Sequence, residues 1–243
     1  MFLPYRIEYD DLDLDVQHRP FAVWALLGIN AALFGLSQSV PAKELLLLVH
    51  RFGFIPEEPS ATTALTYMFL HANWLHFLGN MYFLWLYGRA LETALGSIKF
   101  LALYLSAGVV AVLAHRAFVP PELADIPCIG ASGALSGILG GCLALLPGVS
   151  VECVLLLGFR PVIVRTKAVF VLALWFVLQL FEQWIGQGQN ASAVAYGAHI
   201  GGFLFGCAAI GLMKIAQRAA SEWSSLVREA DLKARGGPAG KCT

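Results

Sequence analysis

Charge is what this sequence has least of. Charged residues make up 13% of the 243 positions, about half the share of an ordinary soluble domain. With 58% hydrophobic residues and a mean hydropathy of +0.69, the composition excludes a soluble single domain and points to lipid as the solvent. An excess of either sign is missing too: 16 Lys and Arg balance 16 Asp and Glu. No basic field exists to hold nucleic acid, so no nucleic-acid partner is expected. Cysteine is sparse and unpatterned. Cys128, Cys142, Cys153, Cys207 and Cys242 show no CxxC spacing and mostly sit in apolar stretches, where a thiol behaves as a small hydrophobe. Neither a disulfide framework nor a metal cluster is expected, and no cofactor. No secretory leader is expected, because Met1–Gln17 carries Glu8, Asp10, Asp11, Asp13 and Asp15 where a signal would have a basic start and an apolar run.

What the chain does contain is apolar runs. Six of them, near 20–39, 73–93, 98–117, 129–148, 167–187 and 194–214, are long enough for a hydrocarbon core of about 30 Å, which takes roughly 20 helical residues. Lys99 and Arg116 bracket the third, and Glu182 interrupts the fifth. Leu45–Val49 is too short to span. With Pro41, Pro56 and Pro59 around it, it predicts a long interfacial loop between the first two spans. Placing both termini in the cytoplasm leaves only Lys43, Arg51 and Arg116 of the 16 basic residues outside, the arrangement that the positive-inside rule favours. The expectation is therefore an all-α bundle of six transmembrane helices: an acidic cytoplasmic tail at 1–19, a membrane domain at 20–214 and a cytoplasmic tail at 215–243. No organelle-targeting extension is read, so a bacterial plasma membrane is expected.

Polar groups inside spans are expensive and mark functional sites. Span two begins His71-Ala-Asn-Trp-Leu-His76-Phe-Leu-Gly-Asn80, span four begins Gly130-Ala-Ser132-Gly133, and span six carries Ala198-His199-Ile-Gly201-Gly202. All three spans run from outside to inside, so these groups share one depth near the outer end. Span four offers Gly133, Gly137 and Gly140–Gly141, and span six offers Gly197, Gly201, Gly202 and Gly206; such small residues let two helices approach closely enough for Ser132 to reach His199. His76 and Asn80, four residues apart, share a helix face, whereas His71 is turned partly away. The i,i+5 spacing of His71 and His76 suits two metal ligands poorly, so no metal site is read from the three histidines.

Together these residues resemble the rhomboid family of intramembrane serine proteases. Gly130-Ala131-Ser132-Gly133 is similar to its nucleophile motif, His71, His76 and Asn80 to its second-helix motif, Ala198-His199-Ile200-Gly201-Gly202 to its sixth-helix motif, and Gly88-Arg89-Ala90-Leu91-Glu92 to its cytoplasmic turn after helix two. The resemblance implies a dyad of Ser132 and His199, an oxyanion hole from Asn80, His76 and the Ser132 backbone N–H, and a structural role for His71. It implies single-pass membrane proteins as substrates, cut in or near their transmembrane segments and entering between helices two and five, with Phe181 and Trp184 as a possible gate; the uncharged composition of Gln187–Ser192 separately suits a cap. Interfacial anchoring explains the same two aromatics equally well. The chemistry is coherent: serine becomes a nucleophile when a neutral histidine takes its proton, and no aspartate falls inside a span to make a third member. One departure is Ser136, where some members place an aromatic against the histidine ring, which leaves the support of His199 open. Residue 134 is Ala, so the GxSxG elbow of α/β-hydrolases is absent. The alternative reading is a non-proteolytic rhomboid-like protein that binds client membrane helices. A channel or transporter is disfavoured by the lack of internal repeats. Oligomeric state is not legible.

Overall fold

The structure, a computed structural model, describes residues 2–8, 19–157, 160–186 and 195–234. The first long helix, α1 (Phe21–Ser37), starts after Pro20 with no side-chain cap of its own. Its first amides are satisfied from elsewhere: the N–H groups of Ala22 and Val23 donate to the carboxylate of Glu92 at 2.9 and 2.8 Å. The Ser97 hydroxyl donates to the same carboxylate at 2.5 Å. A wholly buried acid is tolerated here because it closes the donors that a helix start leaves open.

Between α1 and the next long helix the chain forms α2 (Ala42–Phe52), opened by Pro41, and a short α3 (Thr63–Thr66) that runs into a 3-10 turn at Tyr67–Phe69. None of the residues of α2 is buried, and Leu46 and Leu47 are exposed. This segment is tied down by backbone exchange between Phe54 and Cys128 and by the Arg116 guanidinium on the Pro56 carbonyl at 2.9 Å.

Asn73 caps α4 (Trp74–Phe83), its side chain accepting the His76 N–H at 2.9 Å. A π turn (Leu84–Gly88) and α5 (Arg89–Leu95) continue without a break. The Gly88–Glu92 stretch, expected as a turn, is therefore helical, and the chain reverses instead at Gly96, whose φ of +80° suits glycine. Next come α6 (Ser97–Phe118), α7 (Ser132–Leu145), α8 (Ala168–Gly186) and α9 (Tyr196–Ala234). α7 is the central helix, with every residue from Gly133 to Cys142 buried. It packs chiefly on α9 and α6. α9 passes through residue 214 without interruption and continues to Ala234.

Among the described residues two helices, Ser97–Phe118 and the Tyr196–Asp231 stretch of α9, are long and apolar enough to cross a membrane, with mean hydropathies of 2.0 and 1.5. Phe21–Ser37, Ser132–Leu145 and Ala168–Phe181 are apolar but shorter.

The all-α expectation needs correction. β1 (Phe2–Glu8), β2 (Ser150–Leu157) and β3 (Arg160–Lys167) form an antiparallel sheet in the order β1-β2-β3. Phe2 faces Leu155, and Ser150 faces Lys167. The cause is local: Val151, Val154, Val162, Ile163, Val164 and Thr166 are β-branched, which favours strand over helix, and Val151 and Cys153 are buried on either side of a half-buried Glu152. The start of the chain is likewise not wholly a solvated tail. Residues 2–8 are held by a bond from the Tyr5 hydroxyl to Glu152 at 2.8 Å, by an Arg165–Glu8 ion pair, and by the Tyr82 hydroxyl of α4 on the Pro4 carbonyl. Asp10, Asp11, Asp13 and Asp15 lie outside the described residues.

Candidate active site

Gly130 carries the turn that delivers the chain into α7. Its φ of +119° lies where side-chain-bearing residues are strained, and its N–H donates to the Tyr67 carbonyl at 2.9 Å. The missing side chain matters for a second reason. A Cβ at Gly130 would come within 2.5 Å of His76 Nε2 and 3.6 Å of Asn80 Nδ2. Both donors of α4 are thereby set against the backbone two residues before Ser132. Asn80 is buried, and its Nδ2 has no acceptor among the described residues. Ser132 itself is the first residue of α7, so its amide is one that the helix ladder leaves open.

The Ser132 hydroxyl lies 2.8 Å from His199 Nε2. That contact spans from α7 to α9 and depends on bare backbone. A Cβ at Gly202 would overlap the carbonyl oxygen of Gly133, one at Gly206 that of Gly137, and one at Gly140 that of Phe203. Not all the expected glycines serve this seam. Gly201 is turned to Ala114 of α6, and Gly133 faces Ala111 of α6 and the Tyr67 hydroxyl. They bring α6 against α9 and α7, which sets the pair from behind.

His199 Nδ1 lies 2.5 Å from Gln179 Oε1 on α8. Gln179 is buried. Sequence reading missed it, because an uncharged amide inside an apolar run does not disturb a hydropathy scan. The ring of His199 is flanked by Trp175, with centroids 6.1 Å apart, and edge-on by Tyr196 at 6.2 Å. These supply the ring support that position 136 does not. The Ser136 hydroxyl instead donates to the Ser132 carbonyl at 2.7 Å.

His71 is 5% exposed and takes no part in this cluster beyond its ring contact with His76 at 5.3 Å. It stands edge-on to Phe34 of α1 and Phe77 of α4. Phe181 and Trp184 are 53% and 72% exposed on α8 and touch each other. The expected cap at Gln187–Ser192 lies outside the described residues.

A serine hydroxyl on an imidazole nitrogen, at a helix start and beside two side-chain donors, can carry out acyl transfer. Comparison with known proteins gives the family of the chain. Residues 58–215 match the Rhomboid domain. The chain belongs to the rhomboid family. It is 30% identical over 196 residues to "Rhomboid protein 1, mitochondrial" of Saccharomyces cerevisiae, covering 78% of this chain and 52% of that one. It is 32% identical over 153 residues to "Rhomboid protease GluP" of Bacillus subtilis, covering 62% and 26%. It is also 32% identical over 145 residues to "Presenilin-associated rhomboid-like protein A, mitochondrial" of Danio rerio, covering 59% and 35%. This rhomboid spans about half or less of the length of these relatives. It is an integral membrane protein of a family that includes proteases.

Proposed function

We propose that this rhomboid is an intramembrane serine endopeptidase that cuts membrane proteins in or near their transmembrane segments. The observation that carries the reading is the 2.8 Å contact between Ser132 Oγ and His199 Nε2, set beside His76 and Asn80. In the proposed reaction His199 Nε2 takes the Ser132 proton as Oγ attacks the peptide carbonyl. The oxyanion receives hydrogen bonds from Asn80 Nδ2, the His76 ring and the Ser132 amide, and each such donor is worth about 3–4 kcal/mol in a preorganised site. His199 then returns the proton to the leaving amine, and a water molecule repeats the sequence on the acyl-enzyme. No metal or cofactor enters these steps.

The same reading takes the helices as six spans with both termini on the side that holds most of the basic residues. The membrane domain is then 20–214, with flanking cytoplasmic parts at 1–19 and 215–243, and the site opens to the opposite face. The relatives come both from a bacterium and, by name, from mitochondria. The proposal therefore commits to this orientation in whichever of those membranes holds the chain. Substrates would be transmembrane helices with residues that weaken the helix near the cut, since a helical carbonyl is already bonded and must be freed before attack.

The test is cleavage of a reporter with a Gly- and Ala-containing transmembrane segment by purified protein in liposomes, beside Ser132→Ala and His199→Ala. Cleavage by wild type alone supports the reading. Equal cleavage by all three assigns the activity elsewhere. Stable reporter binding without cleavage by wild type replaces the reading with client binding.

A further inference from the structure

We infer that Gln179 on α8 is a third, neutral member of the site, a positioning residue that holds His199 in the tautomer that can act as a base. The inference rests on the proteolytic reading above. It starts from the two faces of one ring. His199 Nε2 meets Ser132 Oγ at 2.8 Å, and Nδ1 meets Gln179 Oε1 at 2.5 Å. A neutral imidazole carries one proton. If it sits on Nδ1, it is donated to the Gln179 carbonyl oxygen, and the Nε2 lone pair faces the serine hydroxyl. If it sits on Nε2, the ring can only donate to Ser132 and cannot accept its proton. An acceptor at Nδ1 therefore decides whether the pair can react.

An amide suits this place better than an acid. Gln179 is 8% exposed on a helix whose other faces carry exposed Leu174, Val177, Leu178 and Phe181. An ionised carboxylate there would be stable only against the charged imidazolium, whereas the amide oxygen accepts from the neutral ring without charge. The proton balance is unchanged by its presence: the Ser132 proton moves to Nε2 and then to the leaving amine, while Gln179 accepts the Nδ1–H throughout and gains or loses nothing. Trp175, one helical turn earlier, lies against the same ring at 6.1 Å. One face of α8 thus fixes both the plane of His199 and the position of its proton.

The experiment uses full-length protein in liposomes with the transmembrane reporter, reading kcat, KM and the pH profile for wild type, Gln179→Met and Gln179→Glu. Methionine keeps the length and removes the acceptor. The expected result for Gln179→Met is a kcat lower by about tenfold or more with KM unchanged, a part of the roughly 10²–10⁴ that a positioned base contributes. Gln179→Glu keeps an acceptor and adds a negative charge beside the imidazole. It is expected to restore most of the kcat and to move the acidic limb of kcat/KM to higher pH. A gate or packing role would give no recovery of kcat in Gln179→Glu over Gln179→Met.

Wild-type kcat in Gln179→Met, a loss confined to KM, or an unmoved limb in Gln179→Glu would overturn the inference. Nitrogen-15 histidine NMR keeps the question open to decision if the methionine variant misfolds or if no reporter is cut. The His199 proton is expected on Nδ1 in wild type and in Gln179→Glu, and a proton resident on Nε2 in wild type would overturn the inference. Should wild type cut nothing while NMR finds the Nδ1 proton, the proteolytic reading falls and the contact stands.

Discussion

Along α7 and α9, backbone touches backbone. Any Cβ at Gly202 or Gly206 would enter a carbonyl oxygen of the facing helix, so the separation of Ser132 from His199 is set by groups that have no rotamers to adjust. α8 meets the same pair differently. It approaches through large side chains, Trp175 and Phe176, the second stacked on Phe203 with centroids 4.5 Å apart. Its remaining surface is exposed at Phe170, Leu174, Val177, Phe181 and Trp184. The distance between the two reacting groups is built into a seam that cannot give. The orientation of the ring depends on a helix that meets it through side chains.

The largest effect is expected at the seam. Gly202→Val should abolish cleavage and lower the thermal midpoint in detergent, because the added carbons meet main chain and the helices must part. Retention of both activity and midpoint would show that the α7–α9 seam can open without loss. Gly201→Ala should cost about 1–3 kcal/mol, since its new methyl overlaps the Ala114 Cβ and makes only ordinary contacts, at 3.7 Å, with the Ala114 Cα and the Val110 carbonyl oxygen. The pair Gly201→Ala with Ala114→Gly should recover most of that in a denaturation series, whereas no single change on α7 should rescue Gly202→Val. A smaller loss is expected on α8. Phe176→Ala removes one ring pair, for which stacking adds about 0.5–1.5 kcal/mol beyond burial, and should lower kcat more than it lowers the midpoint. Phe181→Ala and Trp184→Ala should leave stability within about 0.5 kcal/mol. A change in KM for either would mark it as part of substrate entry, and unchanged KM would leave both as anchors.

The contrast also explains what could be read without coordinates. Ser132, His199, His76 and Asn80 stand out in sequence because each is a polar interruption of an apolar run, in motifs that the rhomboid family shares. The structure joins them in two steps, His76 and Asn80 against Gly130 and His199 against Ser132. Gln179 offers no such signal. It is one amide in a run of leucines and aromatics, and only its place four residues after Trp175, on the face turned to α9, gives it meaning. The glycines were legible as a class but not by partner, since spacing alone does not say that Gly201 faces α6 while Gly202 faces α7. The sheet escaped for another reason. A window sized for membrane helices reads residues 149–166 as a connection, whereas the β-branched run there and the pairing of residues 2–8 with β2 depend on a period of two and on a partner some 150 positions away. Glu92 was legible as part of a motif, and its work, closing the start of α1, appears only in three dimensions.

The central claim is that His199 activates Ser132. The most direct measurement is covalent labelling of the purified, folded protein with a fluorophosphonate, followed by mapping of the modified residue by mass spectrometry. The account predicts one adduct, on Ser132, that disappears in His199→Ala and persists in Phe181→Ala. An adduct on another serine, or labelling of Ser132 that is undiminished in His199→Ala, would contradict it.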